Sequence, residues 1–224
     1  MLESANTVFF GCNYNDKKVK TQFDNLKKRI EQDTPMSCIV IDKRRGKPAR
    51  DLWRDIKAHI ENSAACIFDL TGFRPNVVLE RGYALSIKAE DQIFITFRTR
   101  KSKGQAPKWI LSDIGHLQRF EYVQIANLES HVRDQLRQIP YYQGYERFLS
   151  ECEKTTIPDQ YKASGLKILQ KLRDDGPKSE QQLKALISGA GCHFSRMGGL
   201  LKKAKVVIRG RGPHGKFSIP KNDR

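Results

Sequence analysis

The chain contains no apolar run of roughly eighteen residues and no helical pattern that is basic on one face and bulky-apolar on the other. Neither a membrane span nor a membrane-surface helix is therefore predicted. Its first residues, MLESANTVFFGC, lack the charged start and long apolar stretch of a secretory signal, which makes the cytoplasm the expected location. Cysteine is sparse: the five, Cys12, Cys38, Cys66, Cys152 and Cys192, are odd in number and widely spaced. With no CxxC pair and no histidine at finger spacing, disulfides and structural zinc are not expected, and no metal is assigned. No tract is dominated by one residue type, so a folded chain with frayed ends is expected.

Charge, by contrast, is plentiful and one-sided. The 224 residues carry 41 Lys and Arg against 25 Asp and Glu, a formal net charge of +16. Such a surface attracts polyanions, and nucleic acid is the leading candidate partner. The hydrophobic fraction of 38% is enough for an ordinary core.

From Thr7 to about Pro140, short apolar runs alternate with longer amphipathic stretches. The strands predicted are TVFFG, SCIVID, ACIFDL, QIFITF and FEYVQ; the helices run at about 16–32, 49–62, 76–89, 107–114 and 128–138. Strand and helix in alternation predict an α/β fold with a doubly wound, flavodoxin-like parallel sheet. Ligands in such sheets settle beyond the carboxyl ends of the strands, so the loops after Phe10 and Asp69 are the informative ones. Pro140 is read as ending the last helix, and 141–163 as a partly ordered connector with aromatics but no clear period.

From about Ser164 the chain changes character. GLKILQKLRDDG and SEQQLKALISGAG read as two short helices, the second capped by Ser179. CHFSRMGGLLKKA supplies a third, weakened by Gly198 and Gly199, and KVVIRGRGPHGKFSI reads as two strands around a Gly and Pro turn. From Asp159 onward there are fifteen Lys and Arg against five Asp and Glu, more than half of the excess charge. Residues 164–224 resemble the winged helix-turn-helix domains of bacterial regulators, a small α+β plan. The resemblance implies DNA binding: His193, Ser195, Arg196, Lys202 and Lys203 on the third helix in the major groove, and Arg209, Arg211, His214 and Lys216 on the wing. A solvated basic surface or a protein-docking module is the alternative.

The most informative run is AACIFDLTGFRPNVVLERGYALSIKA. Gly72 permits a sharp exit from the strand, Pro75 sets the backbone at a helix start, and Asn76 is placed to cap it. Free amides beside a polar loop suit a ribose or a phosphate. DLTG, PNV and the following Glu, Gly, Tyr and Ala resemble the nucleoside 2-deoxyribosyltransferase-like and TIR-like group of nucleotide-processing domains, over about residues 1–140. That group joins strand to helix by a loop of the form DLTGxNPNVxxELGYA. The resemblance implies Glu80 as the catalytic carboxylate, with Asp69 as the strand-end aspartate that binds ribose hydroxyls or holds Glu80's neighbours. It also implies Gly11, Cys12, Asn13 and Tyr14 lining the base or nicotinamide pocket, with Thr71, Gly72 and Asn76 around the ligand; Arg74 and Arg81 are expected beside them. No cofactor is required; NAD or another nucleotide is the implied substrate or ligand.

Two residues depart from the group's pattern. Arg74 stands where Asn is usual, and Arg81 follows the glutamate where Leu is usual; pointing into the pocket, both would lower the Glu80 pKa and favour a phosphorylated ligand. The residues taken singly have plainer readings: a strand-end Asp commonly caps a turn, and a Glu near a helix start complements the dipole. Cys12 reads better as a packing residue than as a reactive thiol. Three functional readings follow. The first is a nucleotide- or NAD-directed N-glycosidase or deoxyribosyl transferase tethered to nucleic acid, a plan that the resemblance links to bacterial defence and toxin effectors, including antiphage ones. The second is a non-catalytic, nucleotide-sensing DNA-binding regulator. In the third, the α/β domain forms a homo-oligomer and the basic tail binds nucleic acid nonspecifically.

Overall fold

The computed structural model describes residues 3–41, 49–99, 119–210 and 215–222. Two compact units emerge from the contacts. One comprises Thr7–Ile30 and Cys38–Leu136; the other joins Leu2–Asn6 and Glu31–Ser37 to Arg137–Arg224.

In chain order the first half runs β1 (Glu3–Gly11), α1 (Lys17–Asp33), β2 (Ser37–Val40), α2 (Ala49–Asn62), β3 (Ser63–Asp69), α3 (Pro75–Ile87), β4 (Ile93–Arg98), β5 (Arg119–Tyr122) and α4 (Ile125–Leu136). The helix predicted over 107–114 lies outside the described residues. The strands form a parallel sheet in the order β2-β1-β3-β4-β5, with Cys66 opposite Ile93 and Ile95 opposite Arg119. This is the doubly wound arrangement, whose strand order reverses between β1 and β3. Every residue of β3 is buried, as a central strand covered on both faces requires. Helix α1 buries Val19, Phe23, Leu26 and Ile30, the three-and-four spacing of one helical face. Its start is set by Asp16, whose Oδ1 accepts the amides of Lys18 at 2.9 Å and Val19 at 3.3 Å.

The second half is α5 (Pro140–Glu153), α6 (Pro158–Asp175), α7 (Glu180–Leu186), α8 (Phe194–Lys203) and the strands β6 (Ile208–Arg209), β7 (Phe217–Ser218) and β8 (Lys221–Asn222). Strands β6 and β7 pair antiparallel, while β8 pairs with the start of β1. Most of the expected connector is helix. Pro140 begins α5 rather than merely ending its predecessor, because the first helical turn needs no NH from it. The buried residues of α5 do have a period: Tyr141, Tyr145, Phe148 and Cys152 lie on one face. Helix α7 starts with the expected cap, Ser179 Oγ accepting Gln182 N while Gln182 Oε1 accepts Ser179 N at 2.9 Å. The carbonyl end of α1 is closed from α6. Arg173 donates to Glu31 O and Met36 O, both at 2.9 Å, and Gln170 to Gln32 O at 2.8 Å, the favourable placement of a cation at a helix carboxyl end.

Gly165 makes the close approach of α6 to α5 possible, since a Cβ there would stand 2.1 Å from Phe148 Cζ. Phe148 is fully buried and has no room to retreat. Gly165→Ala is therefore expected to destabilise by about 1–3 kcal/mol through overpacking, despite the better helix propensity of alanine, and a lowered denaturation midpoint checks it. Among the described residues no helix is long and apolar enough to cross a membrane.

Candidate active site

The crevice at the reversal of strand order is a cavity of about 220 Å³. The loop after β1 contributes Cys12, Asn13, Tyr14 and Asn15; Ile41 follows β2; Leu52 and Ile56 come from α2; Arg74, Pro75, Asn76, Val77 and Glu80 come from the start of α3. Doubly wound topology brings these together because β1 and β3 are neighbours in the sheet although 51 residues separate the end of one from the start of the other.

The approach to α3 is a tight turn. Phe73 N donates to Leu70 O at 2.9 Å, and both Gly72 (φ 73°) and Phe73 (φ 44°) are left-handed. Glycine takes that conformation freely, whereas Phe73 is held there at a cost of about 1–3 kcal/mol. Its ring packs on Phe97 at 5.6 Å between centroids. Helix α3 then opens at Pro75, with Arg74 at the cap position and no side-chain cap. The capping role expected of Asn76 is thus not realised: the helix starts one residue earlier than the sequence suggests, and Asn76 lies inside its first turn on the cavity wall.

Glu80 is one further turn along, partly buried, with its carboxylate against the end of β1. A Cβ on Gly11 would stand 2.9 Å from Glu80 Oε2 and 2.5 Å from the Phe68 ring, so the glycine makes room for the carboxylate. Burial raises the Glu80 pKa from 4.5 to about 7. The downward pull expected from Arg74 and Arg81 does not set this value. Arg74 is exposed at the cavity rim. Arg81 stands outside the cavity wall, its guanidinium pKa lowered by burial and its Nε without a hydrogen-bond partner among the described residues.

Cys12 and Tyr14 sit across from Glu80, and burial pushes both groups well above their ordinary pKa values. A thiol so placed stays protonated, which fits the packing role over the reactive one. Tyr14 donates to Phe10 O at 3.3 Å.

Asp69 is not part of the cavity wall. It is buried, with Oδ1 accepting Thr71 N at 2.8 Å and Oδ2 accepting the Tyr122 hydroxyl at 2.6 Å. Thr71 Oγ1 in turn accepts Arg98 N at 2.8 Å. Burial raises the Asp69 pKa, opposed by the Thr71 and Tyr122 hydrogen bonds and by Arg98. Of its two expected roles, geometry supports holding Glu80's neighbours in place: Asp69 and Thr71 tie the 70–73 turn to β4 and β5. Tyr122 was missed in the sequence because nothing local marks a tyrosine 53 residues away as the partner of that carboxylate. Leu52 and Ile56, also missed, carry only the signature of a core-facing helix.

Of the residues singled out in the second half, His193, Ser195, Arg196, Lys202, Lys203, Arg209 and Lys216 are all exposed. Lys203 is paired with Glu151 at 2.7 Å, and Arg209 with Glu180 at 3.3 Å. Arg196 lies over the Tyr161 ring, and Lys202 and Arg209 over that of Phe217. Arg211 and His214 lie outside the described residues. The chain matches no family model and has no significant match among curated proteins.

Proposed function

We propose that the first unit cleaves the N-glycosidic bond of a nucleotide-type ligand, NAD included, as a hydrolase or a deoxyribosyl transferase. The second unit is read as a winged helix that tethers this activity to DNA or another nucleic acid. The observation that carries the proposal is a carboxyl group, Glu80, set in the wall of the switch-point cavity with its pKa near 7. A group so poised is ionised in a large fraction of molecules at neutral pH yet poorly solvated, which suits a nucleophile.

In the hydrolytic cycle a Glu80 carboxylate oxygen attacks the anomeric carbon. The C–N bond breaks, its electron pair passes to the base nitrogen, and the base takes a proton from water. A second water then attacks the same carbon and gives its proton to the hydroxide that the first water left, the ester bond to Glu80 breaks, and the carboxylate is restored. The sum is one N-glycoside and one water giving free base and free sugar. In transfer, a second base replaces that water. Asn13, Asn15 and Asn76 supply donors and acceptors for hydroxyls and base edges, and Leu52, Ile56 and Val77 supply apolar wall.

The winged-helix reading is supported by the order of α6, α7, α8 and the β6–β7 hairpin and by the exposed His193, Ser195 and Lys216. Salt-sensitive DNA binding by the purified chain tests it.

The catalytic half is tested by incubating the chain with NAD, nucleosides and nucleotides, with and without DNA, and following released base by chromatography. Saturable nucleotide binding with no release under any condition would instead make the chain a nucleotide-sensing regulator. Because the reacting form is the carboxylate, kcat/KM for base release is expected to rise with pH through an apparent pKa near 7 and to level above it. A profile flat between pH 5 and 8 would remove Glu80 from the titrating role.

A further inference from the structure

Helix α8 holds a glycine that its own fold does not call for. Gly199 lies in the helix interior with φ outside the left-handed region, and a Cβ there would meet no atom within 4 Å among the described residues. Alanine would fit and would favour the helix, so neither backbone nor packing accounts for the missing side chain. Around Gly199 on the surface stand Ser195, Arg196, Lys202 and Lys203, three and four residues to either side and all exposed. The outer face of α8 is thus a shallow floor of Gly199 and Ser195 with cations at its edges.

Those cations are held back against the protein. Arg196 lies over the Tyr161 ring at 5.7 Å and Lys202 over that of Phe217 at 5.3 Å, while Lys203 is paired with Glu151 at 2.7 Å. Strong discrimination of a base pair in the major groove takes a bidentate side chain, above all Arg, Lys, Asn or Gln. Helix α8 has no Asn or Gln, and each of its Arg and Lys residues is engaged at the edge of the face. A positive frame around a bare floor fits a phosphodiester chain instead. Charge attracts phosphate without the side chains leaving their partners, and the absent Cβ lets the nucleic-acid backbone come close. Unpaired bases would need rings to stack on. Every aromatic side chain described in the second unit, Tyr161, Phe194 and Phe217 among them, is buried, so a duplex is the better fit.

We infer that α8 seats on the sugar–phosphate backbone of a nucleic-acid duplex, with closest approach at Gly199, and binds it without regard to sequence. The inference rests on the winged-helix reading of the second unit and replaces base readout in the major groove with backbone contact.

The test measures affinity and its salt dependence for the full chain on fluorescent DNA duplexes of unrelated sequence, a matching RNA duplex and the single strands, and adds a selection from a random DNA duplex pool. Gly199→Ala is expected to raise the melting temperature by about 2–4 °C. Gly199→Leu, whose side chain enters open space, is expected to keep the fold and to weaken binding to every duplex by about tenfold or more, the worth of lost charged contacts. Arg196→Gln and Lys202→Gln each weaken all duplexes alike and reduce the logarithmic salt slope by about one. Glu151→Gln, which releases Lys203, tightens all of them. The pool yields no enriched motif. Binding of the RNA duplex beside DNA upholds the backbone as the ligand, and binding of DNA alone upholds it in the B form. A motif enriched from the pool, single strands held more tightly than duplexes, or Gly199→Leu binding at full affinity overturns the inference and leaves the winged-helix reading standing. Absence of salt-sensitive binding to any of these nucleic acids sinks both.

Discussion

Glu80→Gln is expected to lower base release by at least about a hundred- to a thousandfold, the usual loss when a group that stabilises transition-state charge is removed, and at the same time to make the protein more stable above neutral pH. The two effects share one cause. Burial lifts the carboxyl from 4.5 to about 7, so the folded chain binds this proton more tightly than the unfolded chain does. Stability from this group is full below about pH 4.5, declines as pH rises, and is lost above pH 7. The gap corresponds to about 3 kcal/mol at most, which measures the cost of holding an ionised carboxylate in the cavity wall. Glutamine carries no charge to desolvate, so Glu80→Gln regains about 1–3 kcal/mol at pH 8 and nothing at pH 4. Denaturation midpoints at the two pH values check this alongside the activity. A variant that loses activity and stability equally at both would mark Glu80 as a packing residue.

Asp69→Ala is expected to lose about 2–4 kcal/mol of stability, because it leaves the buried Tyr122 hydroxyl and the Thr71 amide without their acceptor. Asp69→Asn keeps one amide oxygen for one of the two donors and loses less. The consequence for turnover is indirect: the turn that Asp69 ties down leads into α3, and α3 carries Glu80. Both variants therefore lower kcat through misplacement of Glu80, and the loss tracks the loss of stability. Tyr122→Phe, far from any ligand, is expected to reproduce part of it. If Asp69 touched the sugar, Asp69→Asn would raise KM or abolish turnover at nearly unchanged stability, and Tyr122→Phe would do neither.

Much of the α/β unit was legible in the sequence because its elements are locally over-determined. β3 carries the apolar run AACIF, α1 repeats its buried residues at helical spacing, and Gly72 and Pro75 punctuate the turn between strand and helix. The candidate site was legible to the same extent: Glu80, Asn13, Tyr14, Arg74 and Asn76 do converge on one cavity. The roles within it were less so. Asp69 reads the same in sequence whether it faces a ligand or a tyrosine, and Arg81 the same whether its guanidinium reaches the cavity or is buried outside it.

Sequence alone determined the alternation of strand and helix, the Gly72 to Pro75 turn, the position of Glu80 one turn into its helix, the Ser179 cap and the basic character of the second half. Each of these depends on neighbours a few residues away. Tertiary structure decided the rest. The first residues of β1 become strand by pairing with Lys221 and Asn222, and 2–6 and 31–37 pack with the second unit. Asp69 turns inward to Tyr122, and the Glu80 carboxyl reaches a pKa near 7. Pairing partners and desolvation are set by groups distant in the chain, and the local pattern of residues does not encode them.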